Sequence, residues 1–200
     1  MTRLVPESVD ADPIVQFRRW YGEAVAAGVR QPDAMTLATA RPGGEVSART
    51  VLMRGHDERG FAFYTNLESA KAADLDTNPR AALVFHWREL ERQVRVVGPV
   101  SRLDRDETER YWAARPRGHR VGAWASPQSH PIDADALDAR LATVVARFSG
   151  QEPPLPAFWG GYLVGVDELE LWQGRTDRLH DRVVYRRASD RVFTREQLAP

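Results

Sequence analysis

Residues 162–182 read YLVGVDELELWQGRTDRLHDR. Apolar side chains alternate at Tyr162, Val164 and Val166 and again at Leu169 and Leu171, the period of a strand with one buried face. The strand is expected to end near Trp172. From there, eleven residues present an indole, three arginines, two aspartates and a histidine. In an extended segment Arg178, His180 and Arg182 share one face. Two guanidiniums and an imidazole on one face repel each other unless an anion lies between them. The guanidinium fork suits phosphate or carboxylate, and imidazole moves a proton near neutral pH. The stretch is equally compatible with a surface strand paired to acidic neighbours, so the rest of the chain has to decide.

The chain has 200 residues, enough for one domain with a sizeable core, and 42% of them are hydrophobic. Its 28 basic and 28 acidic residues cancel, so no global nucleic-acid footprint is expected. With no cysteine there is no disulfide, thiolate metal site or cysteine nucleophile, and no metal is expected. No apolar run approaches the roughly 18 residues of a membrane span, and the N-terminus lacks a signal-peptide core, so a cytoplasmic protein is expected. Lys71 is the sole lysine; arginine otherwise supplies the cations.

Residues 1–11 show no period and are expected to form a flexible arm ahead of a single domain over 12–200. Asp12-Pro13 reads as helix cap and first residue, followed by Ile14, Phe17, Tyr21 and Ala24 or Val25 at helical spacing, with Gly28 as the stop. Met35–Ala40 and Val46–Met53 read as a hairpin about the Arg41–Gly44 turn. Phe61–Thr65 is a strand, Ser69 can cap a helix reaching Asp76, and Ala81–Trp87 and Gln93–Leu103 are further strands. Helices are expected over Arg105–Arg115, stopped by Pro116, and over Asp135–Phe148, with Leu137, Leu141, Val144, Val145 and Phe148 on the apolar side. Pro153, Pro154 and Pro156 stiffen the connector into the opening strand. Strands joined by short turns with helices between groups indicate a mainly β, mostly antiparallel barrel with peripheral helices.

Five further segments carry candidate chemistry. Along the strand at Arg49–Arg54, Arg49, Val51 and Met53 share one face while Thr50, Leu52 and Arg54 share the other. Tyr64 to Lys71 runs from a strand into a helix start, where free N–H groups and the dipole favour phosphate, with Ser69 and Lys71 adding a hydroxyl and a charge. Gln93 lies in an alternating strand, as an amide for a heterocycle edge or as a plain exposed position. Tyr111 and Arg115 are four apart on one helix face and can clasp an anion together. Gly122–Ser129 reads as a small-residue loop ending in Gln128 and Ser129.

Taken together, RTVLMR, FYTNLESAK, NPRAALVFHW, LERQVRVVG, YWAARPRG, GAWASPQS, PLPAFWGGYLV, LELWQG and RLHDR occur in one order. This set resembles the pyridoxamine/pyridoxine 5′-phosphate oxidases, over roughly residues 12–187. The resemblance implies an FMN-binding split β-barrel, active as a homodimer with each flavin between the two subunits. It implies that Arg49 and Lys71 grip the FMN phosphate with Ser69 nearby, and that the backbone of Thr50, Val51, Leu52 and Met53, continuing to Arg54, runs along the flavin. Tyr64 and Thr65 would touch the flavin. Gln93, Gln128, Ser129, Trp172 and Arg182 would supply the remaining contacts, some from the second subunit. The substrate phosphate would meet Arg54, Tyr111, Arg115 and His119, and Arg178 and His180 would lie against the pyridine ring as the catalytic pair. The implied reaction passes hydride from substrate C4′ to flavin N5, after which dioxygen reoxidises the flavin and gives hydrogen peroxide.

Four positions depart from the family pattern. Arg54 stands where lysine is usual, Ala70 where an arginine often precedes the phosphate lysine, and His119 where a serine is common. The N-terminal arm also lacks an Arg-x-x-Tyr segment. Most of these fall on the substrate side. They leave open a related FMN oxidase of another ring, of the phenazine-pathway type, and a non-catalytic flavin- or haem-binding split barrel.

Overall fold

The computed structural model describes residues 3–200. In chain order its elements are α1 (Pro13–Ala26), β1 (Ala34–Ala40), β2 (Val46–Leu52), β3 (Gly55–Asp57), β4 (Gly60–Asn66), α2 (Ala70–Thr77), β5 (Arg80–Trp87) and β6 (Arg92–Arg102). These are followed by α3 (Arg105–Ala114), α4 (Arg117–Ala125), α5 (Ala134–Arg147), β7 (Trp159–Val164), β8 (Glu168–Gln173), β9 (Asp181–Ser189) and β10 (Val192–Leu198). Every strand pairing is antiparallel.

β6 is the strand that two sheets share. Along one edge it pairs with β5; along the other, Arg92–Val97 pair with β8 and Val100–Arg102 with β7. The exchange falls at Gly98-Pro99. Proline brings no ladder N–H, and a Cβ on Gly98 would sit 2.0 Å from the Gly165 carbonyl oxygen. The branch lets β2-β1-β5-β6-β7-β4 curl into a barrel that stays open between β2 and β4. Across that seam one backbone bond runs from Arg54 N–H to the Ala62 carbonyl, 2.8 Å, and β2 has no second strand partner among the described residues.

Phe17 closes one end of the barrel, with ring centroids 4.7 Å from Phe61 and 5.0 Å from Phe85. Burying such a side chain contributes about 2–3 kcal/mol. Asp12 caps α1 as expected, its Oδ1 accepting from Ile14 N–H at 2.7 Å. The buried stripe runs through Ile14, Phe17, Trp20 and Ala24; Tyr21 is half-buried and Val25 is 53% exposed.

Several expectations change. The opening strand is two strands, because Gly165–Asp167 steps the chain from one sheet to the other. Gly165 N–H bonds to Pro99 O and Asp167 N–H to Val97 O. The parity of the alternation shifts between Val166 and Leu169, and that shift marks the break in the sequence. Among the described residues the arm is docked rather than loose: Leu4 and Val9 are buried, and the Tyr185 hydroxyl donates to Asp10 O at 2.8 Å. Residues 122–125, expected to open a loop, instead complete α4, since Pro116 ends α3 yet fits ahead of a new helix. α5 leaves Leu137, Leu141 and Val145 exposed, while Phe148 packs on Trp124. The β9–β10 hairpin was not expected; charged residues interrupt both strands, at Asp181, Arg182, Arg186 and Arg187 and at Arg195 and Glu196, and the chain turns through Arg191 at φ 56°.

Candidate active site

Above the open seam lies a cavity of about 570 Å³. β2 lines it with Arg49, Thr50, Val51 and Leu52, and Arg54 follows just past the strand end. β4 adds Tyr64 and Thr65, and α2 adds Ala70 and Lys71. Tyr111 of α3, Arg115 after it, His119 of α4, and Gln128 and Ser129 close the far wall. Segments scattered from residue 47 to residue 129 thus converge where two strands fail to pair. Met53 is instead in the core and Ser69 is fully buried beneath Lys71.

Two groups of cations face this space. Lys71, only 7% exposed, donates to Thr65 Oγ1 (3.2 Å), Ser69 Oγ (3.2 Å) and Gln128 Oε1 (2.9 Å). All three acceptors are neutral. Burial, aided by repulsion from Arg49, pulls the amine down to about 8. Arg49 donates to Thr39 Oγ1 (2.8 Å), Ser47 Oγ (2.7 Å) and Leu37 O (3.2 Å). Its nearest carboxylate, Asp74, is 3.8 Å away and is already bonded by Thr39 and Arg41. Burial lowers the Arg49 pKa and Asp74 opposes that. Ser69 does not cap α2 through its side chain as expected, because its hydroxyl donates to Asn66 O at 2.7 Å.

The second group surrounds Arg115. Its guanidinium sits 4.7 Å from the Trp159 ring and donates to the His119 carbonyl at 3.2 Å, while its buried Nε has no partner among the described residues. Burial lowers its pKa, chiefly through lost hydration. Tyr64 and Tyr111 stack at 4.0 Å, 12° from parallel, and Trp159 lies 5.4 Å from Tyr64. Gly161 makes room for that stack, as a Cβ there would fall 2.6 Å from the Tyr64 ring. Arg54 differs in being paired, its Nη1 2.9 Å from Asp33 Oδ2.

The remaining expected residues lie elsewhere. Gln93, Trp172 and Arg182 are direct cross-strand neighbours on β6, β8 and β9, so they form one row. None lines the cavity of its own chain. Along the sheet β1 and β5 separate β2 from β6, a span of about 14 Å. Arg182 Nε is held at 2.7 Å by Glu170, a carboxylate 4% exposed that also accepts from Arg95 at 2.7 Å. These bonds hold the Glu170 carboxyl below its usual range despite burial.

Arg178 and His180 do not share an extended face with Arg182. Thr176–Arg178 is a 3-10 turn, with Asp177 at φ 57° and Arg178 at φ 59°. Two successive left-handed residues break the period-two geometry and cost on the order of 1–3 kcal/mol each. His180 packs against Trp172, the ring centroids 4.6 Å apart and the planes tilted by 42°, and its Nδ1 accepts the Arg175 backbone N–H at 3.1 Å. A backbone N–H can only donate, so the neutral ring carries its proton on Nε2. The carboxylates Asp74, Glu170 and Asp181 went unnoticed in the sequence; the one signal there was an acid beside each arginine-bearing strand.

Two family models match the chain. Residues 21–146 match the model described as pyridoxamine 5′-phosphate oxidase, and residues 159–200 match the pyridoxine 5′-phosphate oxidase C-terminal dimerisation region. The chain belongs to the pyridoxamine 5′-phosphate oxidase family. Relatives named pyridoxine/pyridoxamine 5′-phosphate oxidase include one from Rubrobacter xylanophilus, 53% identical over 92% of this chain and 85% of its own length. One from Salinibacter ruber is 53% identical over 97% of this chain and 92% of its own. Among solved structures, PhzG from Burkholderia lata, in complex with tetrahydrophenazine-1-carboxylic acid, superposes with a TM-score of 0.92 at 32% identity, covering 98% of both chains. A pyridoxamine 5′-phosphate oxidase-related, FMN-binding protein from Nostoc punctiforme has a TM-score of 0.74 at 19% identity, covering 92% of this chain and 97% of its own, a likeness of fold. As a pyridoxamine 5′-phosphate oxidase family member the chain is an oxidoreductase with the split-barrel fold, and its cofactor is FMN. The cavity fits that cofactor, since a buried amine surrounded only by neutral oxygens lacks the anion that a phosphate would supply. No helix among the described residues is long and apolar enough to cross a membrane.

Proposed function

We propose that the protein oxidises pyridoxine 5′-phosphate or pyridoxamine 5′-phosphate to pyridoxal 5′-phosphate, as a homodimer whose sites each draw on both subunits. The observation that carries this reading is the pair of under-neutralised cation groups in one cavity, Arg49 with Lys71 and Arg115 with its neighbours. Two phosphorylated ligands need two such pockets. FMN, when bound, would accept the hydride from substrate C4′ as a proton leaves the substrate's hydroxyl or amine, and dioxygen would reoxidise it to give hydrogen peroxide; the imine so formed from pyridoxamine 5′-phosphate takes up water and releases ammonia.

The chain's own residues then have distinct tasks. Arg49 and Lys71 hold the cofactor phosphate, with Ser69 supporting Lys71 from beneath. The unpaired edge of β2 from Thr50 to Leu52, together with Tyr64, Thr65, Gln128 and Ser129, lines the flavin's place, while Met53 lies in the core. Arg115, Tyr111, Arg54 and His119 take the substrate phosphate, and Arg54 must loosen its bond to Asp33 to share in this. Gln93, Trp172, Arg178, His180 and Arg182 come from the second subunit. Support for that assignment is twofold: they do not line their own chain's cavity, and four of them fall in the segment matching the dimerisation region. Arg178 and His180 hold the substrate ring. With its proton on Nε2, His180 donates to the ring and orients it; it does not take the departing proton at that atom.

An anaerobic titration with pyridoxine 5′-phosphate tests this. Bleaching of the visible flavin absorbance, with recovery in air and formation of pyridoxal 5′-phosphate, is the expected result. A yellow protein that does not bleach would favour oxidation of another ring. The PhzG likeness and the Arg54–Asp33 pair, which neutralises one substrate-side cation, support that second reading. A colourless protein that fails to take up FMN would remove both.

A further inference from the structure

Asp181 opens β9 and is 2% exposed, yet three donors converge on its carboxylate. Arg175 Nη1 lies 3.0 Å from Oδ1 and Arg3 Nη2 3.5 Å from the same atom, while the Leu4 backbone N–H donates to Oδ2 at 3.1 Å. Arg175 is therefore held twice. Its guanidinium meets Asp181, and its backbone N–H meets His180 Nδ1 at 3.1 Å. Residues 175–180 form a loop closed at its base by one carboxylate and one imidazole. Within the loop the only backbone bond among the described residues is Leu179 N–H to Thr176 O, a long 3.3 Å. The left-handed backbone at Asp177 and Arg178 persists only where contacts outside those two residues hold it. The base of the loop is where such contacts exist.

We infer that Asp181 is a positioning residue for His180. It fastens the arm at residues 3–4 and the side chain of Arg175 to the start of β9, and through the Arg175 N–H it fixes which imidazole nitrogen carries the proton. The arm acts on the loop through Asp181, at the loop's base. The inference rests on the reading of His180 as a substrate-facing group.

The test uses FMN-loaded, full-length protein labelled with 15N-histidine, with the His180 signals assigned by their loss in His180→Gln. The parent is expected to show an unprotonated Nδ1 and a protonated Nε2. In Asp181→Ala the two shifts move toward a mixed-tautomer average, flavin is retained, and kcat/KM for pyridoxine 5′-phosphate falls about 10- to 100-fold. Deletion of residues 1–4 removes the Leu4 donor without touching Asp181, and moves both readouts in the same direction by less. Combining the two changes gives no greater loss than Asp181→Ala alone, because both open one latch. If Asp181→Ala does not fold, the deletion decides by the same readouts. Unchanged tautomer shifts with normal turnover, or losses that multiply in the combined variant, would overturn the inference. A parent that bleaches with no phosphorylated B6 substrate would sink the proposed function instead, while the nitrogen shifts still decide on the latch.

Discussion

Lys71 and Arg182 are both cations assigned to FMN, and the protein holds them in opposite ways. Lys71 is buried among hydroxyls and an amide with no carboxylate partner among the described residues. Arg182 is clamped by the buried carboxylate of Glu170, which Arg95 shares. The first arrangement keeps a charge unspent until an anion arrives. The second yields a nearly neutral pair whose remaining N–H groups point in a fixed direction, and breaking such a pair costs about 3–5 kcal/mol. In the proposed function the seam between β2 and β4 would capture phosphate, while the row on β6, β8 and β9 would hold groups in position.

Substitutions sharpen that contrast. The largest effect is expected from combining Arg49→Ala with Lys71→Met. Each cation–phosphate bond contributes about 1.5–3 kcal/mol, so FMN should bind about 100- to 10,000-fold more weakly in a fluorescence titration of the apoprotein. Arg178→Ala belongs to the other region; it should keep its yellow colour and lose about 100-fold or more in kcat/KM. Normal turnover by that variant would mean that the 175–180 loop, which joins β8 and β9 of that row, does not position substrate.

Arg115→Ala should raise KM for pyridoxine 5′-phosphate about 10- to 100-fold and leave oxidation of unphosphorylated pyridoxine within about threefold. An equal loss on both substrates would show that Arg115 does not read the phosphate. The smallest effect concerns pH. In the apoprotein burial holds the Lys71 pKa at about 8, below the ordinary 10.5 of a lysine, so the amine is charged below that pH and loses its charge as pH rises through it. FMN affinity should therefore fall by up to about tenfold from pH 8 to pH 9, and Lys71→Arg should flatten the profile. A flat profile in the parent would place the phosphate away from Lys71.

The two regions also differed in how far the sequence reveals them. Around the seam, strand alternation in β2, the strand-to-helix step at Tyr64–Lys71 and the helical spacing of Tyr111 and Arg115 are local patterns, and the fold keeps them. The loop at 175–180 was legible as chemistry but not as geometry. Nothing in GRTDRLH announces left-handed backbone at Asp177 and Arg178, and the base of that loop is closed by Asp181, which Arg175 meets from one side and residues 3–4 from the other. The arm was misread for the same reason: Leu4 and Val9 are too few to show a period, and their burial depends on the far end of the chain. α4 escaped notice because glycines at 118 and 122 and the flanking prolines look like loop, although Val121 and Ala125 bury one face.

In the proposed dimer the two regions meet across a subunit boundary. The measurement that tests it most directly is complementation between Arg49→Ala and Arg178→Ala chains, co-expressed with different tags and purified as mixed dimers. If each site joins the seam of one subunit to the row of the other, one site in every mixed dimer carries both defects and the other carries none. The mixed dimer should then show about half the parent's turnover, although each variant alone is nearly inactive. A mixed dimer as inactive as its two parents would place both regions of a site in the same chain and contradict the account.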